Sequence, residues 1–235
     1  MSAWDAGESD GAHVYLRTPT GTRQLYQASE PVEVQGWWPD GQGLLVIHLW
    51  GYCNSCNADG VRLASLKLDG RFTDLGNFHP QAGTYAWSPR GDLLLGTGGD
   101  RFVVTGDPTV MVCYVAVGSC AQIPRPAGSL DLTPAWSLDG QFIVFARGKM
   151  PDGITEAASW QNSLDIWIAR ADGSGQKRLQ TPGGSYPSWS ADGRSISFIH
   201  SGERWRHDLY TGQNVLTGET VTGTAGRNWI NYSAK

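Results

Sequence analysis

Three residues with chemistry to offer stand at the same place in a repeating frame. His48, Arg147 and His200 each lie seven positions beyond a turn glycine (Gly41, Gly140 and Gly193), and Gly98 takes that place after Gly91. If the frame repeats in space, these side chains ring one rim. Imidazoles and a guanidinium there suit an anionic ligand or, together with His207, a metal ion. The competing role is that of polar strand ends facing water. Trp50, Trp160 and Trp205 fall outside the frame and are candidates for stacking on a sugar ring or anchoring a protein partner. Packing within their own loops is the alternative. The carboxylates nearby are Asp100, Asp107, Asp152, Glu156 and Glu203. They would serve glycosidase-type chemistry only as two groups facing each other across a short gap.

Four cysteines form two near pairs, Cys53 with Cys56 and Cys113 with Cys120. Proximity favours two local disulfides, with free thiols or a metal site as the other options. A single C-x-x-C without a second pair is a weak zinc signal. Its Gly/Asn-rich setting, away from a helix start, weakens a redox role. Disulfides would imply an oxidising compartment.

The elements that must position these residues come from the frame itself. It reads GWWPDGQGLLVIHLW (36–50), AWSPRGDLLLGTGG (86–99), AWSLDGQFIVFARG (135–148) and SWSADGRSISFIHSG (188–202). The tryptophans Trp37, Trp87, Trp136 and Trp189 are 50, 49 and 53 residues apart. A repeat near that length marks an array whose unit cannot bury its apolar face alone. Each tryptophan ends an alternating strand (A), a tight turn follows, and an apolar strand (B) leaves it. Hairpins with DG or GS turns supply strands C and D at 61–75, 110–123 and 164–179. Two more hairpins, 12–26 and 207–217, flank the series.

This predicts an all-β propeller of four-stranded antiparallel blades in one domain spanning 1–235. Signatures fall near 32–75, 82–123, 131–180 and 185–217, and a closing blade is built from 12–27 plus 226–233. Five blades fit the length, and six, or a piece of a larger propeller, is the rival count. Closure would remove exposed sheet edges. In this reading the shared blade has no recognisable strand B, because the opening MSAWDAGESDG reads as a loop.

Bulk properties agree. Charged residues are 17%, while Gly reaches 31 and Trp 11, a profile of short strands joined by tight turns. A net charge of −4 without a basic patch argues against nucleic acid as partner. No apolar run has the roughly 18–20 residues of a membrane-spanning helix. The start lacks the basic and apolar segments of a signal peptide. That leaves a cytoplasmic protein, or a chain whose signal or anchor was removed.

The repeat resembles the TolB-like (WD40-like, PD-type) propeller family on particular residues. Leu164-Asp165-Ile166-Trp167-Ile168, Ala171-Asp172-Gly173, Lys177-Arg178-Leu179 and Tyr186-Pro187-Ser188-Trp189-Ser190 follow the family's order and spacing. The likeness covers about 12–217. Departures are Trp38 for Ser, Arg90 for Asp, and Leu138 and Ala191 for Pro. The resemblance implies a propeller with a protein- or ligand-contacting face, no catalytic residues, no cofactor, and a periplasmic or extracellular setting. Related propellers gate serine peptidases, but no G-x-S-x-G elbow is present, so a complete serine hydrolase is excluded.

In a propeller the B–C and D–A connections share one face. The B–C segments 48–56, 97–108, 147–163 and 201–206 are unequal and rich in aromatic and polar residues, which makes theirs the expected recognition face. In the longest, TEAASW has good helix formers but is too short to hold a helical turn without packing, so a decorative loop is the first expectation and a lid or partner hook the alternative. The leading expectation is a non-enzymatic scaffold that binds a protein partner, or a glycan, through that face. A carbohydrate-active propeller and a structural module of a larger protein are the alternatives.

Overall fold

The computed structural model describes residues 1–8, 11–29, 32–48, 61–78, 85–98, 108–149 and 163–220. Among them all regular structure is strand. The first sheet holds β1 (Ser2–Glu8), β2 (Gly11–Thr18) and β3 (Gly21–Ala28). The second holds β4 (Val32–Trp37), β5 (Gly43–His48), β6 (Val61–Lys67) and β7 (Phe72–Phe78). The third holds β8 (Tyr85–Trp87), β9 (Leu93–Gly98), β10 (Thr109–Tyr114) and β11 (Ser119–Gln122). The fourth holds β12 (Ser129–Trp136), β13 (Phe142–Lys149), β14 (Asp165–Arg170) and β15 (Lys177–Arg178). The fifth holds β16 (Ser185–Trp189), β17 (Ser195–His200), β18 (Glu203–Asp208) and β19 (Asn214–Thr220). Each is an antiparallel meander, and one bridge, Phe78 to Gly98, joins the second to the third.

One expectation is corrected at the start of the chain. SAWDAGE, read as loop, is β1, and it supplies the strand B that the first blade seemed to lack. Its small and acidic residues carry no apolar period. The strand is instead set by the register against β2, from Ser2 opposite Arg17 to Glu8 opposite Gly11. The 226–233 segment expected beside it lies outside the described residues.

The repeat turn has a definite chemistry. In the third copy the Ser137 amide donates to the Phe142 carbonyl and the Gly140 amide to the Ser137 carbonyl. The Ser137 hydroxyl donates to Asp139 Oδ1 at 2.6 Å, which also accepts from the Gln141 amide. The same hydroxyl oxygen accepts from the Phe142 amide. Ser190, Asp192 and Arg194 repeat the arrangement in the fourth copy. In the second copy Arg90 replaces the aspartate, and Asp92, on the other side of the glycine, takes the Ser88 hydroxyl at 2.7 Å. In the first copy Trp38 replaces the serine and its indole is buried. A Cβ at Gly43 would lie 2.6 Å from that indole, so only glycine opens this strand B.

Adjacent blades are cemented by four apolar clusters in chain order. Leu16, Val14 and Leu25 of the first blade meet Leu44 and Val46 of the second. Leu63 and Phe78 meet Leu94 and Cys113. Leu95 and Val112 meet Ile143 and Phe145. Val144 and Ile166 meet Ile196 and Phe198. The recurring tryptophans Trp37, Trp87, Trp136 and Trp189 pack one into each cluster. Trp136 Nε1 also donates to the Ala86 carbonyl of the preceding blade at 3.0 Å. Cys113 and Cys120 face each other across β10 and β11 as a disulfide. Cys53 and Cys56 lie outside the described residues.

Candidate functional site

The frame positions fall at equivalent strand ends, and Arg147 among them is engaged within its own blade. His48, Arg147 and His200 sit near the ends of β5, β13 and β17. Side chains alternate across a strand, so Arg147 shares its face with Ile143 and Phe145, and His200 shares its face with Ile196 and Phe198. That face packs on the preceding blade, and it takes Arg147 out of the expected rim. Arg147 is only 5% exposed. Its Nε and one terminal nitrogen donate to the two oxygens of fully buried Asp131 at 2.5 and 2.8 Å. The other terminal nitrogen donates to Gln176 Oε1 at 2.7 Å, and its guanidinium lies about 5 Å from the Phe145 and Trp167 rings. Burial pushes the Asp131 carboxyl above its ordinary range, against the lowering pull of Arg147. These contacts make Arg147 a structural strut within blade four, and a bond to the Pro124 carbonyl ties it to the connection from blade three.

His200 sits edge-on to Trp205 with ring centres 6.1 Å apart. Trp205 is corrected too: the segment read as a loop is a two-residue turn, Ser201-Gly202, both with positive φ, followed by β18. Trp205 stands mid-strand opposite Phe198 and packs on the core between blades four and five. Its flanking arginines and glutamate hid the strand. His200 and His207 lie at opposite ends of blade five, His200 opposite Glu203 and His207 opposite Ile196, so they cannot share a metal. Among the described residues no group of three or more His, Cys, Asp or Glu is placed to hold one. Glu203 opens β18 exposed. Trp50, Trp160, Asp100, Asp107, Asp152, Glu156 and the TEAASW segment lie outside the described residues, and of His48 only the backbone is described.

An open site lies on the other face, among the A–B turns of blades four and five, the C–D turn of blade five and the β15 region of blade four. It is a groove of about 800 Å³. Phe142, Ile168, Leu179, Trp189 and Leu209 line it, with Leu138 and Tyr210 61% and 78% exposed at its lips. Its origin is a missing wedge. At the seam between blades two and three, Pro39 rests against the next turn glycine, where a Cβ on Gly91 would come within 2.5 Å of the ring. At the following seam Pro89 stands 3.2 Å from the equivalent point on Gly140. Leu138 replaces that proline in the third copy, and a Cβ on Gly193 would meet nothing within 4 Å. The departure from the repeat was legible in the sequence, but its effect was not, because the wedge acts on the neighbouring blade.

Polar groups in the groove include two turn carboxylates. The Ser137 hydroxyl and Gln141 amide hold Asp139 below the ordinary carboxylate range, and the Ser190 hydroxyl and Arg194 amide do the same for Asp192. Both are therefore ionised at neutral pH. His207 is 4% exposed and lines the groove. Asn214 Nδ2 donates to the Gln180 carbonyl at 2.7 Å, which turns Asn214 Oδ1 toward His207 Nδ1 at 3.0 Å. That oxygen can only accept, so Nδ1 is the donor in this contact. The cations at the outer end are Lys177 and Arg178, the latter paired with Asp165 at 2.8 Å.

No family model matches this sequence, and no curated protein matches it. Solved structures do. The tricorn protease matches with a TM-score of 0.52 at 9% identity over 94% of this chain and 29% of that one. Puromycin hydrolase matches with a TM-score of 0.51 at 14% identity over 91% and 33%. Together with the five successive sheets, these settle the architecture. The fold is a β-propeller. TolB from Acinetobacter baumannii is also similar, with a TM-score of 0.47 at 16% identity over 91% of this chain. The chain spans about half (51%) of that TolB's length. No helix among the described residues is long and apolar enough to cross a membrane.

Proposed function

We propose that this propeller is a non-enzymatic binding scaffold, and that its groove between blades four and five takes a segment of a protein partner. The observation that carries this reading is the unwedged seam. Leu138 and Tyr210 project at the lips of a groove with an apolar floor, where the neighbouring turn seams are filled by proline. Clustered apolar surface rimmed by polar groups is what protein partners bury. A glycosidase reading is disfavoured at this groove, since that chemistry needs one carboxyl kept protonated. Asp139 and Asp192 are both held ionised.

The test is site-specific photocrosslinking in extract of the source cells. A crosslinker at position 138 or 210 should yield one discrete partner adduct. One at position 117, where Val117 is 73% exposed on blade three, should not. A matching arm places crosslinkers at positions 50 and 160 on the B–C side. Adducts from that arm alone would move recognition to the loop face, and adducts from neither would end the scaffold reading.

A further inference from the structure

We infer that residues 226–233 of this chain, GRNWINYS, dock on the open side of β1 as the innermost strand of the first blade, with Trp229 opposite Ser2. The inference stands apart from the groove and rests on three regularities of the array. The first is strand number. Among the described residues the first sheet has three strands, and β1, its strand B, pairs with β2 alone. In the other four blades strand B carries a strand A on its second side: β4, β8, β12 and β16. An edge at that place offers its backbone donors and acceptors to one more strand.

The second is spacing. The chain passes from the outer strand of one blade into strand A of the next, which ends in the recurring tryptophan. Trp37 is nine residues past Ala28, the end of β3, and Trp87 is nine past Phe78, the end of β7. Longer connections place Trp136 fourteen past Gln122 and Trp189 eleven past Arg178. Trp229 is again nine residues past Thr220, the end of β19. A strand A at that distance serves the blade after the fifth, and the blade with a place for it is the first.

The third is register. Trp37 stands opposite Leu44, the second residue of its strand B, and Leu44 stands opposite Leu66, the last but one of strand C. Trp189, Ile196 and His207 repeat this order, and so do blades three and four. In the first blade the last but one residue of β2 is Arg17, opposite Ser2, which fixes the partner of Trp229. The indole then falls on the sheet face of His13 and Tyr15, away from Val14 and Leu16, which pack on blade two. Each recurring tryptophan packs toward the preceding blade, so Trp229 faces blade five. That seam is the one without an apolar cluster among the described residues, since the four clusters join blades one to five in succession.

The experiment uses the full chain with paired cysteines. Under mild oxidation Ser2→Cys with Trp229→Cys should form a disulfide within one molecule, identified by mass spectrometry of unreduced peptides. Opposed cross-strand cysteines are within bridging reach, and Cys113 with Cys120 bridges β10 and β11 in this way. Thr20→Cys with Trp229→Cys should not link, because Thr20 lies in the turn between β2 and β3, beyond β1. Equal linkage at positions 2 and 20, or none at position 2, would overturn the register. Linkage between two molecules would give the edge to a second copy and overturn closure by the chain's own segment. The natural chain supplies a check free of substitutions: a nuclear Overhauser contact between backbone protons of Ser2 and Trp229 is expected, and its absence in an assigned spectrum would sink the pairing.

Discussion

Two seams of the same array behave in opposite ways. Between blades three and four, Pro89 closes the turn face against Gly140, and Arg147, held by buried Asp131, reaches the Pro124 carbonyl of the connection from blade three. Between blades four and five the wedge is absent, and His200 stands where Arg147 stood, touching Trp205 by its ring edge. The repeat is the same in both places. The difference is made by two side chains, and it separates a seam built to hold from a seam built to receive. Repetition supplies the scaffold, and local departure supplies the opening.

The sharpest way to break this contrast is to remove the two equivalent residues. Arg147→Ala strands a fully buried carboxylate and should cost about 3–5 kcal/mol by urea unfolding. His200→Ala removes one edge-on aromatic contact and should cost about 0.5–1.5 kcal/mol. Equal losses would erase the distinction between the seams. Next come the two turn glycines. Gly91→Ala and Gly193→Ala share the penalty of a positive φ, +74° and +67°. Only the first meets a proline ring, so it should be worse by about 1–3 kcal/mol. A smaller effect of the opposite sign follows at position 138. Leu138→Pro installs the residue of the first two copies, and the Leu138 amide donates to no backbone carbonyl among the described residues. It should raise stability by about 0.4–1 kcal/mol while closing the lip and abolishing partner crosslinking.

The last and smallest is a pH dependence. Asp139, Asp172, Asp192 and Asp208 all have folded pKa values below the ordinary 3.8, held by hydroxyl and amide donors. Their stabilisation is present above the unfolded pKa and is lost as pH falls through the folded value. Asp131, raised by burial, acts in the other sense. Its relative stabilisation is present below the unfolded pKa and is lost as pH rises through the folded value. Asp139→Asn with Asp192→Asn should therefore flatten the loss of melting temperature below pH 4, and Asp131→Asn should steepen it.

Much of the fold was legible because tryptophan, turn and apolar strand repeat together, so each copy corroborates the next. The β1 strand was not, since SAWDAGE has no alternation and is ordered by its partner. Trp205 was misplaced because strand β18 is polar on both sides of it. At the site, the substitutions Leu138 and Ala191 were visible, and so was the alignment of Arg147 with His200. Which side of the blade those residues face, and what lies across the seam, depends on packing between units that a linear pattern does not encode. The groove has no linear signature for that reason, whereas the longer loops stand out by length and composition alone.

The Trp38–Gly43 pair also makes the first blade turn a coupled unit. With any side chain at position 43, the indole at 38 has no room. A serine at 38 would open a void and a side chain at 43 would collide, so neither position can change alone without loss. The two residues are one interlock, and a substitution at either is compensated only at the other.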